Sequence, residues 1–324
     1  MTTFKEIRGT TIESVSSDPT NPEVGQIWYN NTIGVLKGYR SIGGAWAAGG
    51  SLTTARTNPG GAGTQTAGLA FGGNTTAVQS ATEEYNGTSW GPGGNLNTAR
   101  RQLAGCGIQT AALAFGGLAP PGITPQSVTE KYDGTSWTNT GSLNNARRTI
   151  AGAGTQTAGL GFGGYNDGSG NSNSTELFNG STWTTSGNLA TARRSLSGCG
   201  TQTAGLAFGG TSTAQTNATE EFNGSTWTAG GNLNTTRAEL AGAGTQTAGL
   251  GFGGDAVGTV TGATEKYDGS AWTNTGSMST ARFALAGAGT QTLALGFGGY
   301  TTAPTGATEE FTDPTLAVQK ITTS

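Results

Sequence analysis

Residues 60–90 read GGAGTQTAGLAFGGNTTAVQSATEEYNGTSW, and nearly the same line is written six times along the chain. Phe-Gly-Gly recurs at Phe71, Phe115, Phe162, Phe208, Phe252 and Phe297, with spacings of 44, 47, 46, 44 and 45 residues. An arginine stands 15 residues before each phenylalanine, at Arg56, Arg100, Arg147, Arg193, Arg237 and Arg282. A tryptophan stands 10 residues before each arginine, at Trp46, Trp90, Trp137, Trp183, Trp227 and Trp272. Glutamines at 65, 109, 156, 202, 246 and 291 mark a turn just upstream of each Phe-Gly-Gly. A fixed period of this size signals a repeat protein, in which each unit buries its apolar face only against its neighbours.

Within one copy, GGAG and GLAF flank the Thr-Gln-Thr turn and read as two strands, with Leu69 and Phe71 on one face by the two-residue period. ATEEYNGTSW reads as two more, joined at Asn86-Gly87; the same Asn-Gly or Asp-Gly follows at Asp133, Asn179, Asn223 and Asp268. That dipeptide predicts a tight type I′ hairpin, whose two central residues both take positive φ. Gly and Thr dominate and no 3.6-residue apolar stripe runs through the repeats, so helix is not expected. Four strands per unit at about 45 residues predict an all-β fold, a six-bladed β-propeller. The last copy has Glu309-Glu310-Phe311 but no tryptophan after it, whereas Trp46 precedes the first complete copy. The Trp46 strand is therefore expected to pair with the C-terminal strand and remove the free edge. The expected division is an N-terminal module at 1–37 with a short β-hairpin (Gln26–Tyr29 with Val35–Tyr39), the propeller at 38–312, and a C-terminal tail at 313–324.

The repeats resemble the kelch family. The match rests on the di-glycine after an apolar strand, the aromatic at Tyr85, Tyr132, Phe178, Phe222, Tyr267 or Phe311, the downstream tryptophan, and the arginine. The aromatic and the tryptophan are only five residues apart, closer than is usual for kelch repeats. Residues 18–39, DPTNPEVGQIWYNNTIGVLKGY, are similar to a short module of bacteriophage virion proteins, often tail-fibre or appendage subunits. The near-identical Gly/Thr/Ala-rich repeats also resemble propellers of phage structural proteins. These resemblances imply a virion protein assembled in the host cytoplasm and held to other virion proteins through its N-terminal module. Its propeller would serve attachment to a host-surface glycan or receptor. The alternative they leave open is a capsid- or tail-decorating subunit that contacts only other virion proteins.

Composition narrows the chemistry. The 324 residues include 59 Gly and no His, and 11% are charged. Without His there is no Ser-His-Asp or Cys-His nucleophile system, no His-bearing zinc or copper site, and no route to the chemistry of kelch-bearing copper oxidases. Two cysteines cannot make a tetrathiolate site; Cys106 and Cys199 occupy equivalent repeat positions and are expected to be free, buried thiols. A net charge of −3 argues against nucleic-acid partners. No apolar run reaches the ~20 residues of a membrane span, and the N-terminus lacks the apolar stretch of a signal peptide, so a soluble protein is expected. No cofactor or metal is expected.

The repeated arginines and the glutamates at 83, 130, 176, 220, 265 and 309 are expected to form six ion pairs, and the tryptophans to pack between blades. Arg101, Arg148 and Arg194 form an extra series, replaced elsewhere by Thr57, Ala238 and Phe283. The DGTSW at Asp133 resembles the Asp-box of sialidase-like hydrolases but lacks the residue that motif inserts between Asp and Gly. A glycan-cleaving hydrolase working through paired carboxylates is the less favoured reading, since most acidic residues are repeat elements; the expectation is a non-enzyme. All length variation falls between the di-glycine and the next Thr-Glu, in segments of 8, 11, 10, 8, 9 and 8 residues. Variable loops on a constant scaffold are where binding resides, which makes Pro120, Ile123, Tyr165, Asn166, Asp167, Asp255 and Tyr300 the candidate binding residues.

Overall fold

The computed structural model describes residues 12–20, 26–40, 43–121, 124–313 and 317–320. They fall into two units, one of residues 45–312 and one of residues 1–44 with 313–324. The described residues are all-β, without helix, and the larger unit consists of repeated four-stranded antiparallel sheets, an arrangement consistent with a propeller. The first sheet runs Gly60–Gly63, Gly68–Phe71, Thr82–Tyr85, Trp90–Gly93. Four more follow in the same order, their first strands at Ala104–Ile108, Ala151–Gly154, Ser197–Gly200 and Ala241–Gly244. The sixth takes Ala286–Gly289, Leu293–Phe297 and Thr308–Thr312 from late in the chain. Its fourth strand is Ala45–Ala48, paired through Phe311↔Trp46 and Glu309↔Ala48.

One expectation needs correction. The third and fourth strands are not joined by a two-residue type I′ turn: Tyr85 pairs with Trp90, leaving four residues in the loop, and only Gly87 has positive φ. Asn86 instead turns its own side chain onto the loop, its Oδ1 accepting from the backbone N–H of Thr88 at 3.0 Å and of Ser89 at 2.9 Å. This is the side-chain mimic of a turn that Asn and Asp favour. Asp133 does the same, and the bonds it accepts hold its carboxyl down at about 2.

Neighbouring sheets are joined by the repeated residues. Each tryptophan donates its indole N–H to a threonine of the preceding sheet, as Trp137 does to Thr82 at 3.0 Å and Trp90 to Thr308 at 2.9 Å. Its ring also meets a phenylalanine of the preceding sheet, Trp137 against Phe71 at 4.9 Å. Each turn glutamine donates across the same boundary to two backbone carbonyls, Gln109 to those of Gly68 and Tyr85. The first strands pack so closely that a Cβ on Gly105 would sit 2.5 Å from the Gly61 carbonyl oxygen, so small residues stand where larger ones would separate the sheets.

A further set of contacts varies in step. Tyr85, Tyr132 and Tyr267 donate their hydroxyls to Glu310, Glu84 and Glu221 of the preceding sheet. Where the equivalent acidic position holds Lys131, Leu177 or Lys266, the following sheet carries Phe178, Phe222 or Phe311. The hydroxyl is present only where a carboxylate can receive it, as the cost of an unsatisfied buried donor requires. Burial, then the neighbouring glutamate, pushes all three tyrosines up to about 12.

In the smaller unit, Ile27–Asn30 and Val35–Arg40 form the expected antiparallel hairpin around residues 31–34. Glu13–Val15 adds in parallel on one side and Ala317–Lys320 antiparallel on the other, so part of the segment expected as a tail is a strand. Asp18 accepts from Lys37, Asn30 and the buried Trp28.

Candidate functional site

The connection from each sheet to the next carries the repeated arginine, and the structure fixes what that arginine does. Arg100 is 0% exposed and ion-pairs with Glu130 at 2.7 Å. It also donates to the carbonyls of Gly116 and Val128, at either end of the variable segment. The other carboxylate oxygen of Glu130 accepts from the backbone N–H of Asn97. All six expected pairs form, at 2.5 to 2.9 Å. Burial pulls these guanidinium pKa values down while the partner glutamate opposes it. The arginines are structural ties, each joining a connection to the sheet that follows.

One residue beyond the tie, the connection pairs with the variable segment. Thr57 bridges Asn74, Arg101 bridges Leu118, Arg148 bridges Tyr165, Arg194 bridges Thr211, Ala238 bridges Asp255 and Phe283 bridges Tyr300. The connections and the variable segments therefore share one face, as the strand count requires.

The next residue in each connection is unusual. Asn58, Gln102, Thr149, Ser195, Glu239 and Ala284 all have φ between +48° and +57°. Their backbones form a circuit: each N–H donates to the carbonyl of the preceding member, from Gln102 to Asn58 (3.1 Å) round to Asn58 itself, which donates to Ala284 (2.8 Å). Left-handed backbone costs a non-glycine L-residue roughly 1–2 kcal/mol, most for a β-branched one such as Thr149. Glycine would remove that cost, and this chain has 59 of them. Six different side chains stand there instead. They line a cavity of about 100 Å³, far smaller than the ~300–1,000 Å³ of an ordinary small-molecule pocket. A second cavity of about 130 Å³, lined by the glycines of the first strands, adjoins it. The mouth has room for one projecting group of a larger ligand laid across the face.

Around this mouth the variable segments of the third, fourth and fifth sheets are bound to one another. Asn171 donates to the carbonyls of Thr211 and Ser212. Gln215 donates to Asp255 and accepts from the backbone N–H of Val257. Val257 itself, 75% exposed at positive φ, tips the hairpin of Asp255–Ala256 with Thr259–Val260. Burial first, then the charge of Asp255, raises the pKa of Glu239, with Arg194 opposing.

The candidate residues fare differently. Pro120 is exposed, and Ile123 lies outside the described residues. Tyr165 is half-buried, with the guanidinium of Arg148 4.7 Å and that of Arg194 5.1 Å from its ring centre. Its ring orders two arginines rather than offering an open stacking surface. Asn166 is already engaged, accepting from the Gly168 N–H of its own loop and donating to the Ala146 carbonyl of the preceding connection. Asp167 is exposed and pairs with Arg148 at 3.2 Å, Asp255 is held by Gln215, and Tyr300 packs on Phe283. Tyr165, Asn166 and Asp167 are brought together; Pro120, Asp255 and Tyr300 stand on other segments. The six mouth residues were missed by sequence reasoning, although the sequence carries a signal for them: one position, two residues after a fixed arginine, that differs in all six repeats. Cys106 and Cys199 are free and buried, their thiols pushed up to about 12 by burial. No protein-family model matches the chain, and a search of the curated proteins gives no match.

Proposed function

We propose that the chain is a recognition subunit: a closed six-bladed propeller of kelch-like repeats whose variable face binds a ligand on a host-cell surface, as a bacteriophage tail fibre or appendage does. The closure is supported by the Thr308–Thr312 and Ala45–Ala48 pairing and by the circuit of six hydrogen bonds. The binding role rests on one observation: six dissimilar side chains are kept in strained backbone around the mouth, where glycine would be easier. Strain retained against an available remedy points to function. The virion setting rests on the resemblance of residues 18–39 to phage modules. The N-terminal module would hold other virion proteins, in a particle assembled in the host cytoplasm. A decorating subunit would have no use for the varied mouth.

The test uses purified protein, a panel of candidate host cells and their surface glycans. The wild type is expected to bind at least one, and a variant with residues 118–126 and 165–173 replaced by Gly-Ser linkers to lose at least tenfold in affinity while keeping the wild-type circular dichroism spectrum. Equal binding by both proteins, or binding by neither, would overturn the proposal.

A further inference from the structure

Between Ala45 and Thr312 the chain has eleven cationic side chains. Six are the buried arginine ties, and Lys131 and Lys266 lie on third strands. The remaining three, Arg101, Arg148 and Arg194, occupy the same position in three consecutive connections, each immediately before a mouth residue. Adjacent members are joined through the main-chain bonds Thr149 to Gln102 (2.9 Å) and Ser195 to Thr149 (3.1 Å). In an acidic protein this is a local concentration of positive charge on one sector of one face.

The sector is also pre-ordered. Arg148 and Arg194 share the Tyr165 ring, a cation–π arrangement that fixes a guanidinium without neutralising it; Arg148 is in addition ion-paired with Asp167 at 3.2 Å. Arg194 donates to the neutral Asn171 at 3.0 Å. Arg101 has its Nε buried without an acceptor, and the neighbouring mouth residue Gln102 has its Oε1 buried without a donor. Two carboxylates face the group: Asp167, exposed beside Arg148, and Glu239, which feels Arg194 on one side and Asp255 on the other.

We infer that this sector binds the carboxylate of an acidic polysaccharide, with the sugar hydroxyls laid over the polar mouth. The inference rests on the recognition reading above. A guanidinium fork matches the planar carboxylate. Asn58, Gln102, Thr149 and Ser195 supply the uncharged donors and acceptors that hydroxyls need. Glu239, bonded to Ser195 in the circuit, and Asp255 beside it border the sector with negative charge, so the face suits a polymer with one carboxylate per sugar and repels one of higher charge density.

The probes are polygalacturonate, dextran sulfate and neutral dextran of matched length, measured by calorimetry on the full chain. Polygalacturonate is expected to bind at least tenfold more tightly than either of the others. Arg101→Ala and Arg194→Ala should each weaken it at least tenfold, while Lys131→Ala, away from the face, leaves it within twofold. Wild-type melting temperatures in the variants show that folding is intact. Dextran sulfate binding more tightly than polygalacturonate would reduce the effect to charge attraction and overturn the inference. So would arginine variants that bind like wild type. If the protein binds cells or neutral glycans through its loops but not polygalacturonate, this inference fails and the recognition reading stands. If it binds nothing in either assay, both fail.

Discussion

Glu130→Ala is expected to lower the unfolding free energy by about 3–5 kcal/mol, the cost of leaving a buried cation unpaired. Arg100 is fully buried and has one carboxylate partner; with that gone, the guanidinium keeps only the two carbonyls of Gly116 and Val128. The Asn97 N–H loses its acceptor as well. Buried ion pairs elsewhere are often replaceable by apolar residues at little cost, but this arrangement predicts otherwise. Arg100→Met with Glu130→Leu orphans the Gly116 carbonyl and the Asn97 amide at once, each worth roughly 1–3 kcal/mol, while the Val128 carbonyl keeps the N–H of Gly116, so the double variant should stay destabilised. Denaturant titration followed by circular dichroism checks both. A double variant as stable as wild type would show that the pair does not hold the connection.

Removing residues 1–50 takes away the Ala45–Ala48 strand and leaves Thr308–Thr312 with an unpaired edge. Such an edge is a template for another chain, so the shortened protein is expected to self-associate at micromolar concentration, where the wild type does not. Trp46→Ala separates edge exposure from packing. That ring touches Phe252 at 4.8 Å and Phe311 at 5.2 Å and donates to Thr264. Its loss should cost about 3–5 kcal/mol without exposing the edge, and so without self-association. Sedimentation velocity on both variants is the measurement; a truncated protein that stays monomeric with native melting would contradict the role given to this strand.

The strands, the six ion pairs and the shared face of connections and variable segments were legible because the repeat writes each of them six times. Spacing fixes Arg56 relative to Trp46 and Phe71, and burial follows from that geometry. The Asn86 loop was misread because Asn-Gly signals two turn types, and the choice depends on whether the asparagine side chain turns back onto the loop. The binding candidates were chosen by loop length, which says where the chain tolerates change but not which atoms are already engaged. Asn166 and Asp255 look available in sequence and are occupied in space. The mouth residues had the opposite fate. Their strain is a property of φ, invisible in the letters, and only their variation two residues after a repeated arginine hinted at it. The parallel strand at Glu13–Val15 is three residues long and largely exposed, too short to carry a periodic signal.

The most direct test joins strain to function. Thr149, Ser195 and Glu239 replaced together by glycine should relieve left-handed backbone at three of the six mouth positions. The triple variant is expected to unfold at a denaturant concentration equal to or above that of wild type, and to lose at least tenfold in affinity for whichever surface glycan the wild type binds. A variant that is less stable yet binds normally would mean those side chains serve the fold, and would contradict the assignment of this face to recognition.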